Sequence, residues 1–421
     1  MTTPNGLKKL GGFGAWVIWG VASLFYLYEY FLRVAPSVMV HPLMLHFQIS
    51  AGALGALAAF YYYAYSPMQV VVGLMLDRWG GRRILPGAVF LCAIGSLAFA
   101  LTDNYWIAAT GRLMMGTGSA FAFVGALYVT TNWFPEKNFA MLSGATTTLG
   151  MLGAFLGQGP TAFLVHHTGW QMAWFGAAGF GIFLGLLLLL LIPARPSWAQ
   201  AKSKNTVLQN FFRVLKNGQT WIIGLYGGLI YVPTSTFAAL WGVPFIMVKY
   251  QIPRVRAATM VSMIFLGWIF GSPAAGWLSD RWKRRKPLMV ASSVGVLILS
   301  VAVLYGPDLP HPVIYTLMML IGVCSGGQVV CFAAAFESNP LPAKGSALAV
   351  TNMLVMSTAA LLQPLVGWLL DEHNPGADIP GLDHFTAGDF HFALMVVPIS
   401  LVLALVFALF TRETHAHQPG V

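Results

Sequence analysis

The sequence predicts an all-α membrane protein with twelve transmembrane helices, arranged as two similar six-helix bundles. The first observation is composition, because 57% of the 421 residues are hydrophobic and 9% are charged, whereas soluble domains carry about 25% charged residues. The second is the set of long apolar runs, since a spanning helix needs about 20 apolar residues. The third is a basic turn that occurs twice, 203 residues apart, as expected of a chain built from two similar halves.

Polar turns divide the apolar runs into twelve spans. The spans are predicted at residues 13–40, 51–76, 84–102, 105–133, 139–165, 172–193, 220–246, 257–279, 287–306, 311–336, 345–370 and 391–411. Residues 1–193 are the predicted N-terminal bundle, residues 194–219 a polar and basic linker, and residues 220–421 the C-terminal bundle. Within the linker, the stretch Thr206–Leu215 has the pattern of an amphipathic surface helix, with a plain tether as the alternative.

The distribution of Lys and Arg predicts the orientation. Lys249, Arg254 and Arg256 fall on the side opposite the termini, Arg33 and Arg112 fall within spans, and the other 18 of the 23 fall on the side of the termini. Because basic loops remain in the cytoplasm, both termini are predicted to be cytoplasmic, in a multi-pass protein of a bacterial-type inner membrane. This location of the positive charge, next to the lipid bilayer, also argues against nucleic acid as a partner.

The repeated basic turns are Gly73-Leu-Met-Leu-Asp-Arg-Trp-Gly-Gly-Arg-Arg83 and Gly276-Trp-Leu-Ser-Asp-Arg-Trp-Lys-Arg-Arg-Lys286. Both contain G-x-x-x-D-R-W followed by basic residues, and each follows a long apolar run. The pattern resembles motif A of the major facilitator superfamily, with its second copy between helices 8 and 9. The resemblance implies the fold of that family and transport by alternating access.

Two further stretches resemble motifs of the same family. Arg112 with Gly116 and Gly118 is similar to motif B in the fourth span, and Gly150 to Pro160 is similar to a variant of motif C in the fifth. Glycines spaced three or four residues apart allow helix backbones to approach closely.

The basic turns also supply the residue types of a latch between helix ends. Asp77 and Asp280 are predicted to accept hydrogen bonds from backbone N–H groups at a helix N-terminus, where the macrodipole favours an anion. Arg78 and Arg281 are expected to pair with an acid at the end of another span. The family resemblance implies that such contacts hold the cytoplasmic ends together when the cavity faces outward. The predicted latch residues are Gly73, Asp77, Arg78, Arg82, Glu136, Gly276, Asp280, Arg281 and Glu337.

Three ionisable residues lie deep within predicted spans: Glu29, Arg33 and Arg112. Glu29 and Arg33 share one face of the first span because they are four residues apart. A charge at this depth costs several kcal/mol and therefore faces a cavity or a partner. We interpret Glu29 and Arg112 as a proton-coupling site, with a static buried ion pair as one alternative and Arg33 as an anion-binding residue as another.

In the second half, the corresponding positions are neutral, and hydrogen-bonding side chains take their place. Tyr61, Tyr62, Tyr63 and Tyr65 of the second span cannot all face a cavity. With the three charged residues, the predicted substrate-binding residues are Tyr62, Tyr226, Tyr231, Trp241, Gln328 and Asn352. Each neutral residue has an alternative role as a polar contact between helices.

These features predict a secondary transporter, with proton-coupled uptake of amino acids or small peptides as the first hypothesis. The stretches Tyr28–Met39 and Phe60–Gln69 resemble intraphagosomal amino-acid permeases and, more distantly, the lysosomal dipeptide uniporter branch. The alternative is a symporter or exchanger of organic anions such as sugar acids, carboxylates or organic phosphates. From another class, a transporter-like nutrient sensor also fits.

Several classes are disfavoured by the sequence. No mid-span His or nucleophile–base constellation indicates an enzyme, and no Walker A motif indicates ATP as the energy source. Cys92, Cys324 and Cys331 lie in apolar runs without metal-ligand spacing. We therefore expect no cofactor and no metal, with a small-molecule substrate, protons and lipid as partners of a monomer.

Overall fold

The twelve predicted spans are confirmed. The computed structural model describes residues 12–135, 138–192, 204–374 and 380–414, and these residues form helices and connecting turns. Eleven helices are long and apolar enough to cross a membrane, and the pair Val40–Phe47 and Ala51–Leu76, bent by 107°, supplies a twelfth. In chain order, spans 1 to 12 are Phe13–Val38, Ala51–Trp79, Gly81–Leu101, Tyr105–Trp133, Met141–Thr168, Trp170–Leu191, Gly218–Tyr250, Arg254–Trp282, Lys286–Tyr305, His311–Glu337, Leu341–His373 and Ala387–Phe410.

The molecule has two membrane faces, the linker side and the far side. The linker side carries the helix Lys204–Leu215 and the start of span 1, and the far side carries the short helix Val40–Phe47. On the far side the chain turns sharply into span 2, because Gln48 adopts a left-handed φ of 52° and the Ser50 side chain caps the new helix at Ala53 N. Span 2 therefore begins at a fixed position, with first backbone N–H groups that have no partner within the helix.

Glycines position the helices around the deep charges, as predicted. A Cβ atom on Gly116 of span 4 would overlap the backbone carbonyl of Tyr61 in span 2, so these two helices are in backbone contact. In the second half, Gly322 of span 10 meets Ile264 of span 8 in the same way. Gly153 of span 5 similarly contacts the Leu27 carbonyl of span 1. Spans 1, 2, 4 and 5 thus pack closely because small residues lie at their crossings.

The halves meet along two pairs of helices, spans 2 and 11 and spans 5 and 8. Between them, span 7 widens into a π-helix over Pro233–Trp241, every residue of which is buried. The π-helix begins at Pro233, whose ring lacks the backbone N–H group that a regular helix would use. Such segments often mark functional positions in membrane helices.

The amphipathic helix predicted in the linker is present as Lys204–Leu215. Its residues Phe211, Val214 and Leu215 pack against Ala347 and neighbouring residues of span 11. The Val207 side chain, also assigned to this face, lies outside the described residues. The helix therefore packs against the second half and is more than a plain tether between the halves.

Candidate substrate and coupling site

Glu29 and Arg33 form a buried ion pair in span 1. Arg33 Nη2 donates to Glu29 Oε1, and the Tyr61 hydroxyl of span 2 donates to the same oxygen at 2.8 Å. The Glu29 residue is 0% exposed and Arg33 is 3% exposed. A buried charge is tolerated when an opposite charge and further hydrogen bonds surround it, and span 2 supplies one of these bonds.

Of the two arginines that the sequence offers as partners of Glu29, Arg112 of span 4 is the one that binds elsewhere. Its Nη1 donates to the Leu32 carbonyl at 2.8 Å and its Nη2 to the Ala58 carbonyl at 3.3 Å. Its guanidinium carbon lies 5.0 Å from the centre of the Tyr61 ring. Arg112 therefore ties spans 1, 2 and 4 together through backbone carbonyls and leaves Glu29 to Arg33.

Tyrosine rings enclose the Arg33 guanidinium. Its carbon lies 4.4 Å from the centre of the Tyr30 ring and 4.9 Å from that of Tyr65, with Tyr61 and Tyr62 at 5.7 and 5.8 Å. Aromatic faces attract a desolvated cation by roughly 2 kcal/mol. These rings stabilise the charge, while Nε and Nη1 of Arg33 have no hydrogen-bond partner.

Sequence reasoning selects Tyr62 in span 2 and misses Tyr61 and Tyr65. A usable signal is the spacing of Ala58, Tyr61, Tyr65 and Gln69, which places all four on one helical face. All four are buried, whereas Tyr63 is 43% exposed. Tyr62 is buried as well, close to Arg33.

The charge cluster, formed by Glu29, Arg33 and Arg112, carries more positive than negative charge. Two guanidinium groups face one carboxylate, which leaves one surplus positive charge when all three are ionised. Among the described residues, Arg33 Nε and Nη1 and Arg112 Nε have no hydrogen-bond partner, nor has Glu29 Oε2. Unpaired donors on buried cations are costly, and an anionic group is the ligand that would satisfy them best.

In the second half, Tyr231 is the predicted residue that approaches the cluster. Its side chain lies in the neighbourhood of Tyr30 and Tyr62, which belong to the first half. Its ring packs edge-on against Trp268 at 5.6 Å, and Trp268 Nε1 donates to Thr234 Oγ1 at 2.8 Å. Trp268 is a residue that sequence reasoning missed, since a single Trp in span 8 carries no distinguishing pattern.

Asn352 of span 11 also lies between the halves. Its Nδ2 donates to Gln69 Oε1 of span 2 at 2.9 Å. Gln69 continues the face of span 2 that carries Tyr61 and Tyr65. The polar contact between the halves and the charge cluster therefore share one helical face.

Three other predicted substrate-binding residues make contacts within the second half. Tyr226 donates to the Met289 carbonyl at 3.2 Å, Trp241 to the Gln363 carbonyl at 3.0 Å, and Gln328 to the Gly227 carbonyl at 3.4 Å. The structure does not bring them to the charge cluster. These bonds correspond to the alternative role as polar contacts between helices.

At the second basic turn, Arg285 rather than Arg281 is the partner of Glu337. Its guanidinium donates to Glu337 at 2.7 Å and to Asp280 at 2.6 Å, so Asp280 does not cap a helix as the sequence predicts. Burial alone would lower the pKa of Arg285, yet the hydrogen bonds that it donates to Glu337 and Asp280 hold that pKa above the usual arginine value. Arg281 instead lies 5.7 Å from the Trp277 ring.

The first basic turn is described only in part. The Arg78 guanidinium lies 5.2 Å from the Trp79 ring, and Arg82 is exposed. A Cβ on Gly73, or on Gly276 in the second copy, would meet no atom within 4 Å. The Asp77 side chain and Glu136 lie outside the described residues, so their latch role stays a prediction.

Comparison with known proteins adds a family match. The model of the Major Facilitator Superfamily matches residues 12–364. A probable hexose phosphate transport protein of Chlamydia pneumoniae is 22% identical over 78% of this chain and 79% of that protein. The hexuronate transporter of Escherichia coli (strain K12) is 23% identical over 87% of this chain and 89% of that protein.

A solved structure shares the fold. It is a bacterial homologue of the human lysosomal transporter Spinster, in an inward-facing and occupied conformation, with a TM-score of 0.76. The likeness covers 96% of this chain and 97% of that chain at 15% sequence identity.

Replacing Tyr61 with Phe should destabilise the protein without any ligand present. The change removes the hydroxyl that donates to the buried Glu29 carboxylate, and a hydrogen bond to a charged group contributes about 1.5–3 kcal/mol. Unfolding in detergent measures the loss. The exposed Tyr63→Phe is the matched control and should stay within about 0.5 kcal/mol of the parent. Equal stability of the two variants would contradict the hydrogen-bonded arrangement at Glu29.

Proposed function

Since the chain belongs to the Major Facilitator Superfamily and is a membrane transporter of that family, we propose that it carries a small organic anion by alternating access. In this proposal the charge cluster of spans 1, 2 and 4 binds the acidic group of the substrate. The halves, residues 1–193 and 220–421, move about the cluster and expose it to one side at a time. The linker side faces the cytoplasm, as its basic loops indicate.

The surplus positive charge is the observation that supports this proposal. Arg33 and Arg112 face one carboxylate, and unpaired N–H groups remain on both guanidinium groups. A carboxylate or phosphate brings the missing negative charge and accepts hydrogen bonds from an arginine fork. The neutral second half, with Tyr231 and the Trp268–Thr234 pair, suits the uncharged body of the same molecule.

An anion fits this site better than a zwitterion. An amino acid brings no net charge, so the second guanidinium would remain unneutralised. Its ammonium group would have only Glu29 Oε2 to bind, because Oε1 already accepts from Arg33 and Tyr61. The printed names of the two relatives given above, for hexuronate and hexose phosphate, support the same choice. The organic-anion hypothesis therefore replaces amino acids or small peptides as the first hypothesis.

A ligand screen by thermal unfolding tests the substrate class. The purified protein is heated with sugar acids, simple carboxylates or organic phosphates, and separately with amino acids and dipeptides. A true substrate should stabilise the protein by about 3–4 kcal/mol at 100 to 1,000 times its Kd. The neutral amide of any acidic hit is the matched control and should lose most of this effect. Stabilisation by amino acids or dipeptides alone would contradict the proposal.

Glu29 is the residue to which we assign proton coupling. Among the described residues of the twelve spans, Glu29 lies in the middle of span 1, whereas the other acidic residues lie near helix ends: Asp77, Asp280, Glu337, Asp371, Glu372 and Asp389. A carboxylate at this position alternates between pairing with Arg33 and holding a proton as the site opens and fills. The charge cluster thereby links the substrate and proton sites.

Replacing Glu29 with Gln should separate coupling from transport. The amide keeps the shape of the side chain but cannot titrate, so exchange of substrate between equal pools in proteoliposomes should persist. Accumulation driven by an inward proton gradient should be lost, and the remaining transport should depend little on pH. Proton-driven accumulation by the variant would contradict the assignment. The ion pair would then have the static role that the sequence leaves open.

A further inference from the structure

A carboxylate of the second half caps a helix of the first half on the far side of the membrane. Asp371, near the end of span 11, accepts hydrogen bonds from Ala51 N at 3.0 Å and from Gly52 N at 2.7 Å. Ala51 and Gly52 are the first two residues of span 2. A negative charge at a helix N-terminus is favoured by the unpaired N–H groups and by the helix dipole.

This cap depends on close contact between two backbones. A Cβ on Gly52 would lie 2.8 Å from Asp371 Oδ2, and a Cβ on Gly55 would lie 2.6 Å from the Gln363 carbonyl. On the opposite helix, a Cβ on Gly367 would overlap the Ala51 carbonyl. Spans 2 and 11 are therefore in direct contact at their far-side ends, where any larger side chain would separate Asp371 from its donors.

Toward the linker side, glycines of the paired helices make no such contact. A Cβ on Gly73 of span 2 or on Gly345 of span 11 would meet no atom within 4 Å, and the same holds for Gly144 of span 5 and Gly276 of span 8. The close backbone contact of spans 2 and 11, with the cap at Asp371, thus belongs to the far-side end of the molecule.

We propose that Asp371 is the positioning residue that holds the far-side gate shut. The inference relies on alternating access as the mode of transport but not on the identity of the substrate. Separation of spans 2 and 11 on the far side would expose both the carboxylate and the two N–H groups to water. The charge-assisted bonds are therefore present in one state of the cycle and absent in the other, and their loss shifts the population toward the state open to the far side.

Cysteine accessibility tests this role without any substrate. Ser37, 1% exposed, lies at the far-side end of span 1 and accepts a hydrogen bond from Gln158 Nε2 of span 5 at 3.2 Å. Ser37→Cys is placed in a chain whose native Cys92, Cys324 and Cys331 are replaced by Ser. A membrane-impermeant maleimide is added from the far side, and the labelling rate reports how often the gate opens.

Asp371→Asn should raise this labelling rate about tenfold, the change expected on losing one charge-assisted hydrogen bond. Glu372→Gln is the matched control, because Glu372 is the next residue, is exposed and carries the same charge. It should label at the parental rate. If Asp371→Asn folds, as thermal unfolding shows, and labels no faster than the control, the proposal is overturned.

A second variant covers the case in which Asp371→Asn does not fold. Ala51→Pro removes the N–H group that donates to Asp371 Oδ1 without changing any charge, and proline is well tolerated at the first position of a helix. Faster labelling of this variant supports the gate, and the parental rate overturns it. Because no substrate is added, failure of this test does not bear on the organic-anion proposal. Failure of the ligand screen likewise does not bear on the gate.

Discussion

The surrounding helices have to pack closely because three charged side chains are buried between them. These are the ion pair of Glu29 with Arg33, and Arg112. Charges at this depth are costly unless partners surround them. The Tyr61 hydroxyl, the carbonyls of Leu32 and Ala58 and a set of tyrosine rings supply these partners. Spans 1, 2 and 4 must therefore lie close together. The glycine crossings bring them there, since Gly116 lets span 4 touch the backbone of span 2 beside Tyr61.

The two halves share one architecture but differ in the charge of the residues they bury. Gly116 against Tyr61 in the first half corresponds to Gly322 against Ile264 in the second. The charges have no such counterpart, because Val232 and Thr236 stand where the repeat would place Glu29 and Arg33. One half therefore binds charge, and the other presents neutral groups such as Tyr231. In the proposed function, a substrate bound between them contacts both halves and couples their movement.

The sequence predicts the parts of this structure that depend on periodicity and composition. The spans, the close glycine crossings and the depth of Glu29, Arg33 and Arg112 follow from apolar runs and helical spacing. The partners of the charges do not follow, because they depend on how each helix is rotated. Arg112 binds carbonyls rather than Glu29, Arg285 rather than Arg281 binds Glu337, and Asp371 caps a helix about 320 residues away. Pairings of this kind arise from tertiary packing alone.

Binding of the anionic substrate to variants of Arg112 tests the surplus charge directly. Arg112→Lys keeps the charge but loses the fork that reaches two carbonyls, whereas Arg112→Gln keeps a donor and removes the charge. Affinity is measured by calorimetry in detergent for the parent and both variants, alongside a thermal check of folding. The account predicts that the Lys variant binds within about tenfold of the parent and the Gln variant about 100-fold more weakly, the loss of roughly 3 kcal/mol expected for a buried charged contact. Parental affinity in Arg112→Gln would contradict the claim that surplus positive charge binds the substrate.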